Sequence, residues 1–212
     1  MSRTPVLPMS CFAVALAALT SAARAEPITF EFRGEVTEVP DEVSAEFSVG
    51  ESVVGRYTFE STSADWDSSD EYGRYLYLIS LEAIFGGDYT LTASGPGTDI
   101  TVANRNNNTD VYNVFVGTPS GPELVPNIVP FIFTLNLHDS TMTAFSSDAL
   151  PLVPPDLAAF DLDRSGLHYQ GAAGGVVSFQ VTSLQLATPE PGAGVLALLG
   201  AIAVAVPVWR RR

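Results

Sequence analysis

Ile28-Thr29-Phe30-Glu31-Phe32-Arg33-Gly34-Glu35-Val36-Thr37 alternates apolar and polar side chains, with Ile28, Phe30, Phe32 and Val36 on one phase and Thr29, Glu31, Arg33, Glu35 and Thr37 on the other. Successive side chains of an extended chain point to opposite faces, so the spacing predicts a strand with one buried face and one face in water. The same phase returns at Val53, Gly55, Tyr57 and Phe59, at Tyr77, Ile79, Leu81, Ala83 and Phe85, at Tyr89, Leu91 and Ala93, and at Phe131, Phe133, Leu135 and Leu137. Weaker strands are expected at Asp99–Ala103, Val111–Val116 and Val176–Leu186. In the last of these the apolar phase moves from Val177, Phe179 and Val181 to Leu184 and Leu186, which predicts a bulge. Gly86-Gly87-Asp88 reads as a tight hairpin, Ser94-Gly95-Pro96-Gly97 as a loop and Asn104–Asn108 as an exposed turn. Roughly eight to ten short strands and no helical spacing predict an all-β domain. An antiparallel β-sandwich of jelly-roll type is the first expectation, with a closed barrel as the second.

The two ends of the 212-residue chain read differently from this middle. Arg3 is followed by an uncharged stretch, Thr4–Ala23, whose apolar centre, Cys11–Leu19, is too short to span a bilayer and has the length of a signal-peptide core. Ala23-Arg24-Ala25 places small residues where signal peptidase accepts them, so residues 1–25 are expected to be removed before Glu26. Cys11 is the only cysteine and lacks the aliphatic residue three positions before it that lipidation needs. The exported domain, 26–187, therefore has neither disulfides nor thiolate ligands. At the other end, Pro189-Glu190-Pro191 precedes an uncharged run, Ala193–Trp209, and then Arg210, Arg211 and Arg212. As a helix, Pro191–Trp209 would rise about 27 to 28 Å, enough to cross a bilayer. The arginines would stay on the cytoplasmic side, and the large domain would face outward.

Charge narrows the function classes further. The chain carries 24 acidic and 10 basic residues, all ten of them Arg, for a formal net charge of −14. Between Glu26 and Thr188 stand 5 Arg and 23 carboxylates, a net of −18. Such a domain repels phosphate backbones, which excludes nucleic acid as a partner. The absence of Lys excludes Schiff-base chemistry and a P-loop.

Pro189-Glu190-Pro191, the single Gly/Ala/Leu-rich span and the terminal Arg cluster together resemble the PEP-CTERM sorting signal of Gram-negative bacteria, over residues 188–212. The resemblance implies recognition by an exosortase, a membrane-embedded Cys-dependent processing enzyme, and association with exopolysaccharide systems. The two prolines also hold the segment extended and remove backbone donors, so that Glu190 lies on a non-helical, readable stretch. Phe47-Ser48-Val49-Gly50-Glu51-Ser52-Val53-Val54-Gly55, and Leu135-Asn136-Leu137-His138-Asp139 with the later Leu150-Pro151 and Phe160, are similar to all-β PEP-CTERM proteins of unknown function.

Catalytic signatures are sparse. The exported domain has only His138 and His168, and Gly117-Thr118-Pro119-Ser120-Gly121 fails the spacing of a nucleophile elbow. Asp161-Leu162-Asp163-Arg164-Ser165-Gly166 opens like a calcium loop, with Asp161, Asp163 and Ser165 at positions 1, 3 and 5 and glycine at 6. Position 12 is Ala172, so no closing carboxylate follows. Asp65, Asp67, Asp70 and Glu71 form a second acidic group around Trp66, which with Tyr72 and Tyr75 would offer an aromatic platform to a sugar ring. Core packing or loop anchoring is the competing role for these aromatics.

The expectation is thus an exported, exosortase-sorted protein of the surface or extracellular matrix, non-enzymatic and associated with exopolysaccharide. Its partners would be signal peptidase, exosortase, the membrane through the tail before processing, and extracellular polysaccharide. Calcium is the one cofactor the sequence suggests. The alternatives are a carbohydrate-binding module, an ice-binding module, for which Thr90 and Thr92 make too short an array, and a polysaccharide-acting enzyme using paired carboxylates.

Overall fold

The computed structural model describes residues 25–171 and 174–188. Nine strands follow in chain order: β1 (Pro27–Glu38), β2 (Ser52–Glu60), β3 (Tyr72–Phe85), β4 (Tyr89–Asn106), β5 (Thr109–Gly117), β6 (Val129–Asp139), β7 (Leu162–Asp163), β8 (Gly166–Gln170) and β9 (Gly175–Leu186). All pairings between them are antiparallel. Neighbours run β5-β4-β3-β2-β1-β9-β8-β6, and β6 pairs back onto β5. The sheet is therefore a closed eight-stranded barrel, with the two-residue β7 also hydrogen-bonded to β6.

This corrects the expected sandwich. A sandwich and a barrel both bury one face of each strand, so alternation is the same in either. Closure rests on two long-range pairings, β1 with β9 (Phe30 opposite Leu186) and β5 with β6 (Val114 opposite Leu135), which leave the ring without open edges. The bulge expected in β9 is present where Thr182 is left out of the register between Val181 and Ser183.

Two further readings change because of bulges. In β3 the register against β4 shifts between Leu76 and Leu78 and again between Leu78 and Leu81. Tyr75, Leu78, Leu81, Ala83 and Phe85 face inward, while Tyr77 and Ile79, expected on the buried phase, are exposed. Ser94–Gly97 is an irregular part of β4 rather than a separate loop. In β6 a shift between Pro130 and Ile132 likewise leaves Phe131 exposed.

Aromatic side chains fill the interior. Phe30, Phe32, Tyr57, Tyr112, Phe133 and Phe179 are buried, and the Tyr57 and Tyr112 hydroxyls meet at 2.8 Å in the middle. Val43 and Phe47 close one end, with Phe47 edge-on to Phe85 and Tyr89 at 5.6 and 5.1 Å. At the other end Phe145 packs on Tyr112 and Phe160. Side chains pack the interior, which leaves the outer wall as the face open to solvent. Core residues and closing pairs all lie between Pro27 and Leu186, so residues 26–188 contain the contacts that make the barrel.

Ala25 is exposed. Ala23 and the rest of the expected signal peptide lie outside the described residues, as do Pro189, Glu190, Pro191, the apolar span and Arg210, Arg211 and Arg212. Among the described residues no helix is long and apolar enough to cross a membrane.

Candidate functional site

Two successive register shifts between β3 and β4, the first with extra residues in β4 and the second with one in β3, lie under a groove on the outer wall. Leu78 is paired with Gly95 between the two shifts. Its amide donates to the Thr98 hydroxyl at 2.7 Å, and that hydroxyl donates to the Gly95 carbonyl at 2.6 Å. Thr98 is itself buried, so this pair of bonds fixes the bulge from inside. Tyr77 takes the conformational consequence, with φ of +70° in the left-handed region and a side chain 55% exposed. A non-glycine residue held there stores about 1–3 kcal/mol of strain, a feature concentrated at ligand clamps and active sites.

Two depressions meet at Thr98. The larger, about 600 Å³, runs past Ile79, Ser80, Thr92, Ser94 and Thr118 to the ion pair of Arg56 with Glu82 at 3.0 Å. The smaller, about 230 Å³, lies among Trp66, Arg74, Leu76, Tyr77, Asp99 and Phe115. The first alone falls within the size range of small-molecule sites. Hydroxyls line one part of the groove, and aromatic and aliphatic side chains the other.

Trp66 stands in this groove 68% exposed, on a backbone that is tied to β3. Its amide donates to the Arg74 carbonyl at 2.9 Å, and the Arg74 amide donates to Asp65 Oδ1 at 2.9 Å, so the 61–71 segment is stitched to β3. The Arg74 guanidinium donates to Asp99 Oδ2 through Nε at 3.2 Å and Nη2 at 2.7 Å. It also lies 5.9 Å from the centre of the Trp66 ring, within cation–π range. The hydrogen bond to Asp99 raises the Arg74 pKa above its ordinary value, against the opposing effect of burial, so the cation is permanent. An exposed indole on an anchored backbone offers a ligand a ring face whose main chain is already ordered.

The aromatic platform expected from the sequence is therefore partly rearranged. Trp66 belongs to it, Tyr75 is buried and donates its hydroxyl to the Asp148 carbonyl, and Tyr77 takes the place the sequence reading gave to its neighbours. The signal for Tyr77 was weak: it lay only in the Ser94-Gly95-Pro96-Gly97 stretch, whose glycines at 95 and 97 adopt positive φ opposite it.

The suggested calcium residues are engaged elsewhere. Asp163 accepts from the amides of Ser165 at 2.8 Å and Val181 at 2.6 Å, and Ser165 Oγ accepts from the Asn136 amide at 2.9 Å. These bonds seal the ring where β7 gives way to β8. Asp161 instead accepts from the amide and hydroxyl of Ser140. The three oxygen groups thus turn to different partners, and among the described residues no three His, Cys, Asp or Glu side chains gather as a cation site. In the other acidic group, Asp65 and Asp67 accept from backbone amides two residues ahead.

Among the described residues neither histidine is hydrogen-bonded to a nucleophile or a base. Both point outward from distant parts of β6 and β8, and burial lowers both pKa values, reinforced at His138 by Arg164. The two carboxylates of the groove, Glu82 and Asp99, each face an arginine. The chain matches no protein-family model, no curated protein and no solved structure.

Proposed function

We propose that this is an exported barrel, sorted through its C-terminal tail, that holds extracellular polysaccharide along its outer wall without acting on it chemically. Signal peptidase would release the chain at Ala25, and an exosortase would read Pro189-Glu190-Pro191 while the apolar span and Arg210–Arg212 hold it in the membrane. The sorting part of the proposal rests on the sequence pattern. The binding part rests on one observation: an indole 68% exposed, on a backbone anchored to β3, stands over a paired arginine next to a depression lined with hydroxyls.

Sugars present apolar C–H faces flanked by hydroxyls, and fixed aromatic rings with nearby polar groups match that surface. Glycoside hydrolysis needs one carboxyl group free to donate a proton and a second free to attack or activate water. Glu82 and Asp99 are both tied to guanidinium groups, which favours binding over hydrolysis.

Affinity electrophoresis of residues 26–188 through gels containing dissolved polysaccharides tests the binding role. Retardation is expected for the native sequence and its loss for Trp66→Ala, with no release of reducing ends. Equal retardation of the two forms, or release of reducing ends, would contradict the proposal.

A further inference from the structure

We infer that the groove takes several consecutive units of an uncharged polysaccharide and discriminates against polyuronates; this rests on the glycan-binding reading above and specifies its ligand class. The argument begins with the cations. Recognition of a carboxylate-bearing polymer relies on arginines free to fork onto each carboxylate. The groove contains two arginines, and both are already matched: Arg56 to Glu82 at 3.0 Å and Arg74 to Asp99 at 2.7 Å. Asp99 is 4% exposed, so a uronate drawing Arg74 away would leave a buried carboxylate without its partner. The local formal charge of the groove is therefore zero, and breaking the Arg74–Asp99 pair to bind an anion is unfavourable, while the exposed Arg56–Glu82 pair adds no net positive charge.

The field of the whole domain acts in the same direction. The domain carries a net of −18 between Glu26 and Thr188. At 0.15 M salt the Debye length is about 8 Å, so carboxylates near the groove still repel an approaching polyanion. An uncharged chain meets no such barrier and finds what the groove does offer: the faces of Trp66 and Tyr77, the apolar Ile79, and the hydroxyls of Ser80, Ser94 and Thr118.

Length follows from the shape. The two depressions meet at Thr98, with the aromatic platform in one and most hydroxyls in the other. A single sugar can occupy one depression only. A run of linked sugars crosses the Thr98 saddle and uses both, so its binding free energies combine without a second loss of translational freedom.

Trp66 is the only tryptophan between residues 26 and 188, so its fluorescence reports occupancy of the groove directly. Titrations of this segment with dextran, a mixed-linkage β-glucan, alginate and polygalacturonate, at about 20 and 300 mM NaCl, provide the test. At least one neutral polymer is expected to shift the Trp66 emission with affinity constant within about two-fold across the two salts, as uncharged contacts require. Both polyuronates are expected to bind at least about ten-fold more weakly at low salt. Its hexaose fragment should outcompete its monosaccharide. Polyuronate binding equal to or tighter than neutral binding would overturn the ligand class while leaving a glycan site in place. A monosaccharide as effective as the hexaose would overturn the multi-unit reading. No response and no gel retardation with any polymer would instead remove the glycan-binding proposal itself.

Discussion

Tyr77 and Asp139 show how single residues divide between binding and stability. Glycine adopts φ of +70° without the steric penalty that Tyr77 bears, although it adds about 0.5–1 kcal/mol of chain entropy in the unfolded state. Tyr77→Gly should therefore leave the melting temperature unchanged or raised while weakening glycan retardation several-fold; a large loss of stability would show that Tyr77 is held there for packing. Asp139 has the opposite assignment. Buried at the plugged end of β6, it accepts from the amides of Thr141, Thr143 and Ala144 and from the Thr141 hydroxyl. Burial alone would raise its pKa, but these bonds prevail and hold the carboxyl well below the usual carboxylate range. An acid whose folded pKa lies below its unfolded value of about 3.9 contributes fully above that value, and the contribution is lost as pH falls toward the folded pKa. Chemical denaturation between pH 6 and pH 2.5 should show stability falling on acidification. In Asp139→Asn the fall should be shallower and the stability at pH 6 lower by about 1–3 kcal/mol, the loss expected when buried donors lose an ionised acceptor. A variant with the native pH slope would remove Asp139 from this role.

At the level of strands, the β7–β8 junction turns a motif that looks like ion chemistry into a closure device. Leu137 opposite Asp163 and Thr134 opposite Gly166 keep one register along β6, with Arg164 and Ser165 interrupting the strand between them. The Asp163 carboxylate supplies the acceptor that Val181 would otherwise find on a neighbouring strand. Asp163→Ala should lower the melting temperature, with a loss of about 1–3 kcal/mol from unpaired amides, and millimolar Ca²⁺ and Mg²⁺ should shift the native melting temperature equally. A calcium-specific shift abolished by Asp163→Ala would show that these oxygens take a cation instead. The same elements explain what could be read in advance. Alternation in Ile28–Thr37 or Phe133–Leu137 announces strands because burial imposes period two. A bulge adds one residue with no signature in composition, so Tyr77 and Ile79 kept the phase of Leu81 on paper and lost it in the fold. Asp-x-Asp-x-Ser is legible as oxygen chemistry, but its partners Asn136 and Val181 come from strands remote in sequence. The Arg74–Asp99 pair that steadies Trp66 was hidden for the same reason.

Across the whole molecule, the chain enters and leaves the barrel at one end. Phe30 lies opposite Leu186, and the Ala187 amide donates to the Thr29 carbonyl at 2.9 Å. Ala187 is therefore held beside the start of β1, and the groove on β3, β4 and β5 lies on the flank of the barrel. Replacing Pro189-Glu190-Pro191 with three alanines should leave an uncleaved, membrane-associated form in the producing cell while the native chain loses its Arg tail; equal processing of both would mean that the tripeptide is incidental to sorting. The central claim, that the bulged outer wall rather than either plugged end is where polysaccharide binds, is tested most directly by NMR. In ¹⁵N-labelled residues 26–188 titrated with a neutral hexaose, the single indole Nε1–H signal of Trp66 and the amides of Tyr77, Ile79 and Thr98 should shift together along one binding curve. Shifts confined to the loops around Phe47 or Phe145, with the Trp66 indole unmoved, would contradict the account.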